Sequence, residues 1–270
     1  MKKNKTKAKK EYKLTDGVLY PVYLDGNINV SVVDGNGKLG KGIHNYSLLP
    51  GDEPLKLKNG VQLTNLCGTC HGCCNGCKKE CYAILNGVYH HNTCIPAWAR
   101  NTLLAREDPE SFQYGLQNYI DNNIVTFMRV HMGGEFFSKE YMKQTIEFAG
   151  KNKDVPSFYP YTKRYEWLEE LDDEIGFPSN FHPIVSIWHD NYANPKKFAE
   201  FIYDDGTQPE LDNLPHCPAV DKYGRETGWT CARCKHCPLA ERGSRMCVYA
   251  HGNTNWMIGR AKLLAEMGTK

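Results

Sequence analysis

Apolar and polar positions are ordered most clearly in the middle of the chain. Residues 124–131, IVTFMRVH, form an apolar run with β-branched members that Gly133-Gly134 ends, the pattern of a buried strand. The spacing predicts a helix after it. Ser138 is placed to cap that helix, Phe137 and Met142 to staple it, and Tyr141, Ile146, Phe148 and Ala149 to supply its apolar surface before Gly150 stops it. Residues 157–161, SFYPY, read as a second strand interrupted by Pro160, and YEWLEELDDE after it reads as helical. PIVSIWH at 183–189 is a third strand, after which Asn194-Pro195 opens a predicted helix through about Tyr203. Upstream, Ala97 to Arg106 reads as a helix, and Asp108-Pro109-Glu110 starts another that runs to about Tyr119.

Strands alternating with helices at this spacing predict parallel strands joined by right-handed crossovers. The expected class is α/β, either an open sheet or a partial barrel. Three segments follow from the pattern: a Lys-rich tail over 1–12, an α/β domain over 13–210 that carries a cysteine loop at 67–94, and a cysteine-rich segment over 211–270. Residues 204–230, rich in Gly, Pro and Asp, read as a loop leading into the last cysteines.

Composition removes several classes. Mean hydropathy is −0.57, and no stretch approaches the roughly 20 consecutive apolar residues of a membrane span. The first ten residues carry six lysines with no apolar segment after them, so they do not read as a secretory signal, and a cytoplasmic, reducing location is expected. Formal net charge is +2, and without the tail the remainder is net negative. The tail reads first as a disordered extension, with contact to nucleic acid as its functional alternative.

The 12 cysteines of the 270 residues change the picture most. A chain of this length needs no disulfide staples, and in a reducing compartment clustered thiols are available to metal. Cys67, Cys70, Cys73, Cys74, Cys77 and Cys81 lie within fifteen residues, Cys94 follows, and a second group holds Cys217, Cys231, Cys234, Cys237 and Cys247. Two successive x2 spacings in Cys231-x2-Cys234-x2-Cys237, with Cys217 upstream, bring thiolates to one centre in the way iron–sulfur clusters favour, although zinc could also use them. The first group has more thiols than one zinc can use. Cys70-x3-Cys74-x2-Cys77 suits three ligands to a 4Fe–4S cluster with one iron open. Two or three clusters are compatible with the count. His71, His90, His91, His236 and His251 lie nearby and read chiefly as loop histidines.

Together the stretch GNGKLGKGIHNYSLLPG (35–51), Cys81-Tyr82-Ala83, MRVHMGGEF (128–136), YTK (161–163), TCARCKHCP and the downstream His251-Gly252 resemble the gene product 88 family of phages and mobile elements. The resemblance covers most of residues 35–252. That family is in turn similar to radical S-adenosylmethionine enzymes, which implies a radical-SAM-like partial (β/α) barrel of parallel strands, a cysteine-rich N-terminal loop holding a cluster, and a C-terminal cluster-binding extension. It further implies that Gly133, Gly134 and Glu135 hold the amino group of S-adenosylmethionine. The family's own loop pattern also fits Cys70, Cys77 and Cys81, which competes with the first register for the same thiols.

Arg129 and His131 alternate along the strand and are expected to share a face, with Glu135 just beyond, where they could bind an anionic substrate or pair as scaffold. Lys163, His189 and Asp190 are expected at the same rim of strand ends. Trp98, Tyr119, Tyr161, Trp167 and Trp188 read as core side chains before base-stacking ones. The leading expectation is an iron–sulfur protein in redox or radical chemistry on an unknown substrate or with a redox partner. The alternative is a zinc-stabilised protein that binds nucleic acid without catalysis.

Overall fold

The computed structural model describes residues 12–15, 18–21, 30–56, 62–73, 77, 81, 83–84, 93–188, 197–205 and 208–249. The lysine tail, Cys74, His90, His91, His189, Asp190 and His251 lie outside these residues.

A seven-stranded sheet forms the body, in the order β11-β10-β9-β8-β7-β4-β3. Its strands are β3 (Val32–Asp34), β4 (Ile43–Tyr46), β7 (Phe127–Val130), β8 (Ser157–Thr162), β9 (Ile184–Ile187), β10 (Ala199–Asp204) and β11 (Arg245–Tyr249). Only the edge strand β3 runs antiparallel to its neighbour; from β4 to β11 each pair is parallel. The sheet is open, and the expected α/β class holds with a mostly parallel sheet. Two hairpins stand apart from it, β1 (Tyr12–Thr15) with β2 (Val18–Pro21) and β5 (Pro54–Lys56) with β6 (Gln62–Cys67). The segment beyond residue 210 supplies β11 to this same sheet.

Helices cover one face. They are α1 (Cys94–Glu107), α2 (Pro109–Asp121), α3 (Lys139–Lys151) and α4 (Tyr165–Ile175). The Asp108 side chain caps α2 by accepting the Ser111 amide at 3.1 Å, with Pro109 opening the helix. Ser138 caps α3 by accepting the Tyr141 amide at 3.1 Å. The staple differs from the expected one, because Phe137 stacks on Tyr141 with ring centroids 4.6 Å apart, and α3 runs past Gly150 to Lys151. Met128, Val130, Phe136, Met142, Ile146 and Phe158 belong to the large core between helices and sheet. On the opposite face Ile43, Tyr159, Ile184 and Ala199 pack with Leu39 and with partly buried Tyr161, Cys231 and Cys237.

One expectation fails in this body. The helix predicted through about Tyr203 is strand β10 over its second half. Ala199, Phe201 and Tyr203 alternate with Glu200, Ile202 and Asp204 and form parallel ladders on both sides, to β9 and β11. Packing between two strands thus overrides the helix-start signal. Among the described residues no helix is long and apolar enough to cross a membrane.

Candidate functional site

The C-terminal cysteines are positioned from the far end of the sequence. Asn36 accepts the Lys38 and Leu39 amides through Oδ1 at 2.9 and 2.8 Å, folding residues 35–42 into a tight loop. That loop then presents its carbonyls to the short helix α5 (Cys231–Cys234). The Cys231 amide donates to Lys38 at 3.1 Å and the Ala232 amide to Leu39 at 2.8 Å. Gly40 has φ +78°, and a Cβ there would stand 2.8 Å from Thr230 Oγ1 and 2.9 Å from Ala232 Cβ, so glycine is what permits the close approach. Cys217 is fixed separately, its amide donating to the Cys247 carbonyl at 2.7 Å.

The result is a pocket lined by Cys217, Cys231, Cys234 and Cys237 together with Trp229 and Met246. His236 borders the same pocket. Burial pushes the Cys237 thiol up to about 12 and raises those of Cys217 and Cys231. Thiols held this way stay protonated and inert near neutral pH unless a metal cation displaces their protons. Four thiols of the expected ligand set line this one cavity. Among the described residues no three His, Cys, Asp or Glu side chains are grouped as they would be around a single metal ion. Cys247 is not brought to this pocket. It is fully buried on β11 and packs with Ile202 and Leu211, while its neighbour Met246 faces the pocket, as alternation along a strand requires.

The N-terminal cysteine loop is tied to the carboxyl end of β4. The Thr69 amide donates to Leu49 at 2.9 Å, the Cys70 amide to Gly51 at 2.7 Å, and the Cys73 amide to Cys70 at 3.1 Å. Arg106 of α1 donates to the Cys67 and Gly68 carbonyls at 3.1 and 3.0 Å. Gly68 lies so close to this turn that a Cβ would be 2.2 Å from the Pro50 and Gly51 oxygens. Burial, reinforced by the charge of Glu135, pushes the Cys70 thiol well up, and Cys81 and Cys73 lie within electrostatic reach of it. Of the C-x3-C-x2-C register, Cys70 and Cys77 are described. Cys94 starts α1 and packs beside Ile95 and Trp98, and His71 is exposed.

Beyond β7 the strand end serves these anchors. Gly133 donates its amide to Ser47 Oγ at 3.1 Å and accepts the Leu48 amide at 2.9 Å. Gly134 has φ +86°, and the space its missing Cβ leaves is filled by Leu48 and Thr69. Glu135 Oε1 accepts the Phe136 amide at 2.8 Å and the Thr162 hydroxyl at 2.9 Å, and Oε2 accepts the Lys163 amide at 2.8 Å. A carboxylate offers about four acceptor positions, and among the described residues three are taken by the chain itself. Burial raises the Glu135 carboxyl against the opposing pull of these bonds and of Arg164. Lys163 Nζ reaches across to the Ser186 carbonyl at 2.7 Å, joining the ends of β8 and β9.

Arg129 and His131 do not share a face, contrary to the alternation along the strand. His131 has φ +60°, and this left-handed residue turns the chain so that its ring enters the helix-side core. There it packs edge-on to Tyr46 and Phe136 and meets Tyr141 Oη at 2.9 Å. Its burial lowers its pKa to about 3, so it is neutral. Arg129 points to the opposite face, its guanidinium 4.6 Å from the Tyr161 ring centroid and beside the C-terminal thiols. The neighbours that sequence reasoning missed are Gly40, Thr69 and Tyr161. The first lies in the GNGKLGKG stretch that had been read only as part of a motif set.

Trp98 is buried with Leu49 and Leu66, Trp167 packs at the margin of the main core, Trp188 stacks on Tyr203 at 3.8 Å, and Tyr119 Oη meets His44 Nδ1 at 2.8 Å. No curated protein and no solved structure matches the chain. The model of the family described as gene product 88 matches residues 30–237, well over half of the chain and spanning both groups of anchored cysteines, and the protein therefore belongs to the gene product 88 family.

Proposed function

We propose that the protein is an iron–sulfur protein carrying two or three 4Fe–4S clusters on a radical-SAM-like fold. The observation that carries this reading is the pocket formed by Cys217, Cys231, Cys234 and Cys237 against the sheet face opposite the helices. Four thiols spread around a cavity suit a cluster, whose ligands sit on separate irons. When bound, such centres supply one-electron transfer and, beside a bound S-adenosylmethionine, radical chemistry.

The order of parts supports the fold comparison. The parallel strands follow one another in space as in sequence, from β4 through β7 to β11. The cysteine loop follows β4, and Gly133-Gly134-Glu135 follows β7. In this reading Glu135 offers its remaining acceptor position on Oε2 to an amino group, and the Gly133-Gly134 turn keeps the cysteine loop pressed against the strand ends.

The test is iron and acid-labile sulfide content with an absorption spectrum, on full-length protein purified without oxygen. Iron and sulfide in near-equal amounts with a brown colour are expected. A colourless protein holding zinc and no sulfide would overturn the reading and favour a zinc-stabilised protein that binds nucleic acid through its lysine tail; salt-sensitive binding lost on tail deletion would then identify that role. Incubation with dithionite and S-adenosylmethionine separates the two iron–sulfur versions. Release of 5′-deoxyadenosine identifies an enzyme, and its absence an electron carrier.

A further inference from the structure

We infer that Arg129 and Tyr161 set the reduction potential of the C-terminal centre. The inference rests on the proposal that Cys217, Cys231, Cys234 and Cys237 hold an iron–sulfur cluster.

Both side chains come from the middle of the parallel sheet, on the face the helices do not cover. Phe127 of β7 packs on that face while Met128 and Val130 turn to the helices, so Arg129 alternates onto the cysteine side. Its guanidinium stacks over the Tyr161 ring at 4.6 Å, and its charge acts on the sulfurs of Cys231 and Cys237. Tyr161 is held edge-on by Phe201 at 5.2 Å and by Tyr159 at 6.3 Å. From that position it packs with Cys231 and Cys237, and its hydroxyl pulls against the burial that raises the Cys237 thiol.

A four-thiolate cluster gains negative charge when it accepts an electron. Where burial reduces screening, a fixed cation and an O–H group packed beside the ligand cysteines favour the reduced form. The pair therefore raises the potential. The sequence pattern pointed Arg129 at an anionic substrate; the geometry points it at the anionic centre.

The test is a potentiometric titration of anaerobically reconstituted full-length protein, followed by absorption and electron paramagnetic resonance. The C-terminal signal is the one that Cys237→Ser abolishes. With iron and sulfide content unchanged, Arg129→Met and Tyr161→Phe should each lower its midpoint by about 59 mV or more, a tenfold shift of a one-electron equilibrium. Arg129→Lys should restore most of the loss. If Arg129→Met disturbs folding, Tyr161→Phe, which removes a single oxygen, decides alone. Unchanged midpoints in fully loaded variants would overturn the inference and leave the iron–sulfur proposal standing. Wild-type protein without sulfide would overturn both.

Discussion

Thr69 and Glu135, 66 positions apart, are joined by one hydrogen bond, the Glu135 amide donating to Thr69 Oγ1 at 2.9 Å. The same hydroxyl donates to the Leu49 carbonyl at 2.9 Å. One fully buried side chain thus ties the start of the cysteine loop to the ends of β4 and β7. Thr69→Val keeps the shape and deprives the Glu135 amide of this acceptor, which costs about 1–3 kcal/mol. Thr69→Ser keeps the bond and loses one methyl, about 0.8 kcal/mol. Urea denaturation should rank the variants in that order, and amide exchange at Glu135 should accelerate only in the valine variant.

Gly40 and Gly42 share a left-handed backbone and differ in surroundings. Their φ angles are +78° and +91°; a Cβ at Gly40 would press on Thr230 and Ala232, whereas one at Gly42 would meet nothing within 4 Å. Alanine at either position carries the conformational penalty of roughly 1–2 kcal/mol. Only Gly40→Ala also pushes on α5, which holds Cys231 and Cys234. Both variants should melt lower than wild type. Iron release to a chelator should quicken in Gly40→Ala and stay at the wild-type rate in Gly42→Ala.

His131 makes the fold acid-sensitive. Its pKa is about 3 in the folded protein against an ordinary 6.5, so between these values the unfolded chain binds a proton that the folded one does not. Stability therefore falls as pH drops through that window, and it recovers as pH rises. From pH 6.5 to 4.5 the loss from this one group is about 2 kcal/mol. His131→Asn accepts the left-handed backbone and carries no titrating group. Its urea midpoint should vary less over this range than that of the wild type, and equal slopes would refute the assignment.

These residues mark where the sequence was legible. Helices α2 and α3 were readable because Asp108 and Ser138 are local caps followed by apolar periodicity. Cys231, Cys234 and Cys237 line one pocket, as their close spacing suggests. Strand β4 gave no such signal, since all four residues of IHNY are buried although two are polar. Asn45 and His44 find partners on β3 and α2, at Val33 and Tyr119, and those partners exist only in the folded chain. The turn at His131 was equally hidden, because a positive φ at a non-glycine residue is imposed by its surroundings. Strand β10 was hidden by a helix-start signal upstream, and its two ladders come from distant segments.

The twelve thiols should not behave alike. Serine at Cys217, Cys231, Cys234 or Cys237 removes a donor from the shared pocket, and each variant should lose about one cluster of iron and sulfide relative to wild type. Orientation alone removes Cys247 from such a role: its side chain faces Ile202 and Leu211 while its backbone carries Cys217. Cys247→Ala should therefore keep the full metal content and cost about 1 kcal/mol through the small cavity it opens. Burial also pushes the Cys247 thiol up to about 11, so it should stay unmodified by iodoacetamide at neutral pH in native protein. Metal analysis of the five single variants checks the division, and loss of a cluster in Cys247→Ala with one of the other four variants keeping its full content would place the fourth ligand on β11 instead.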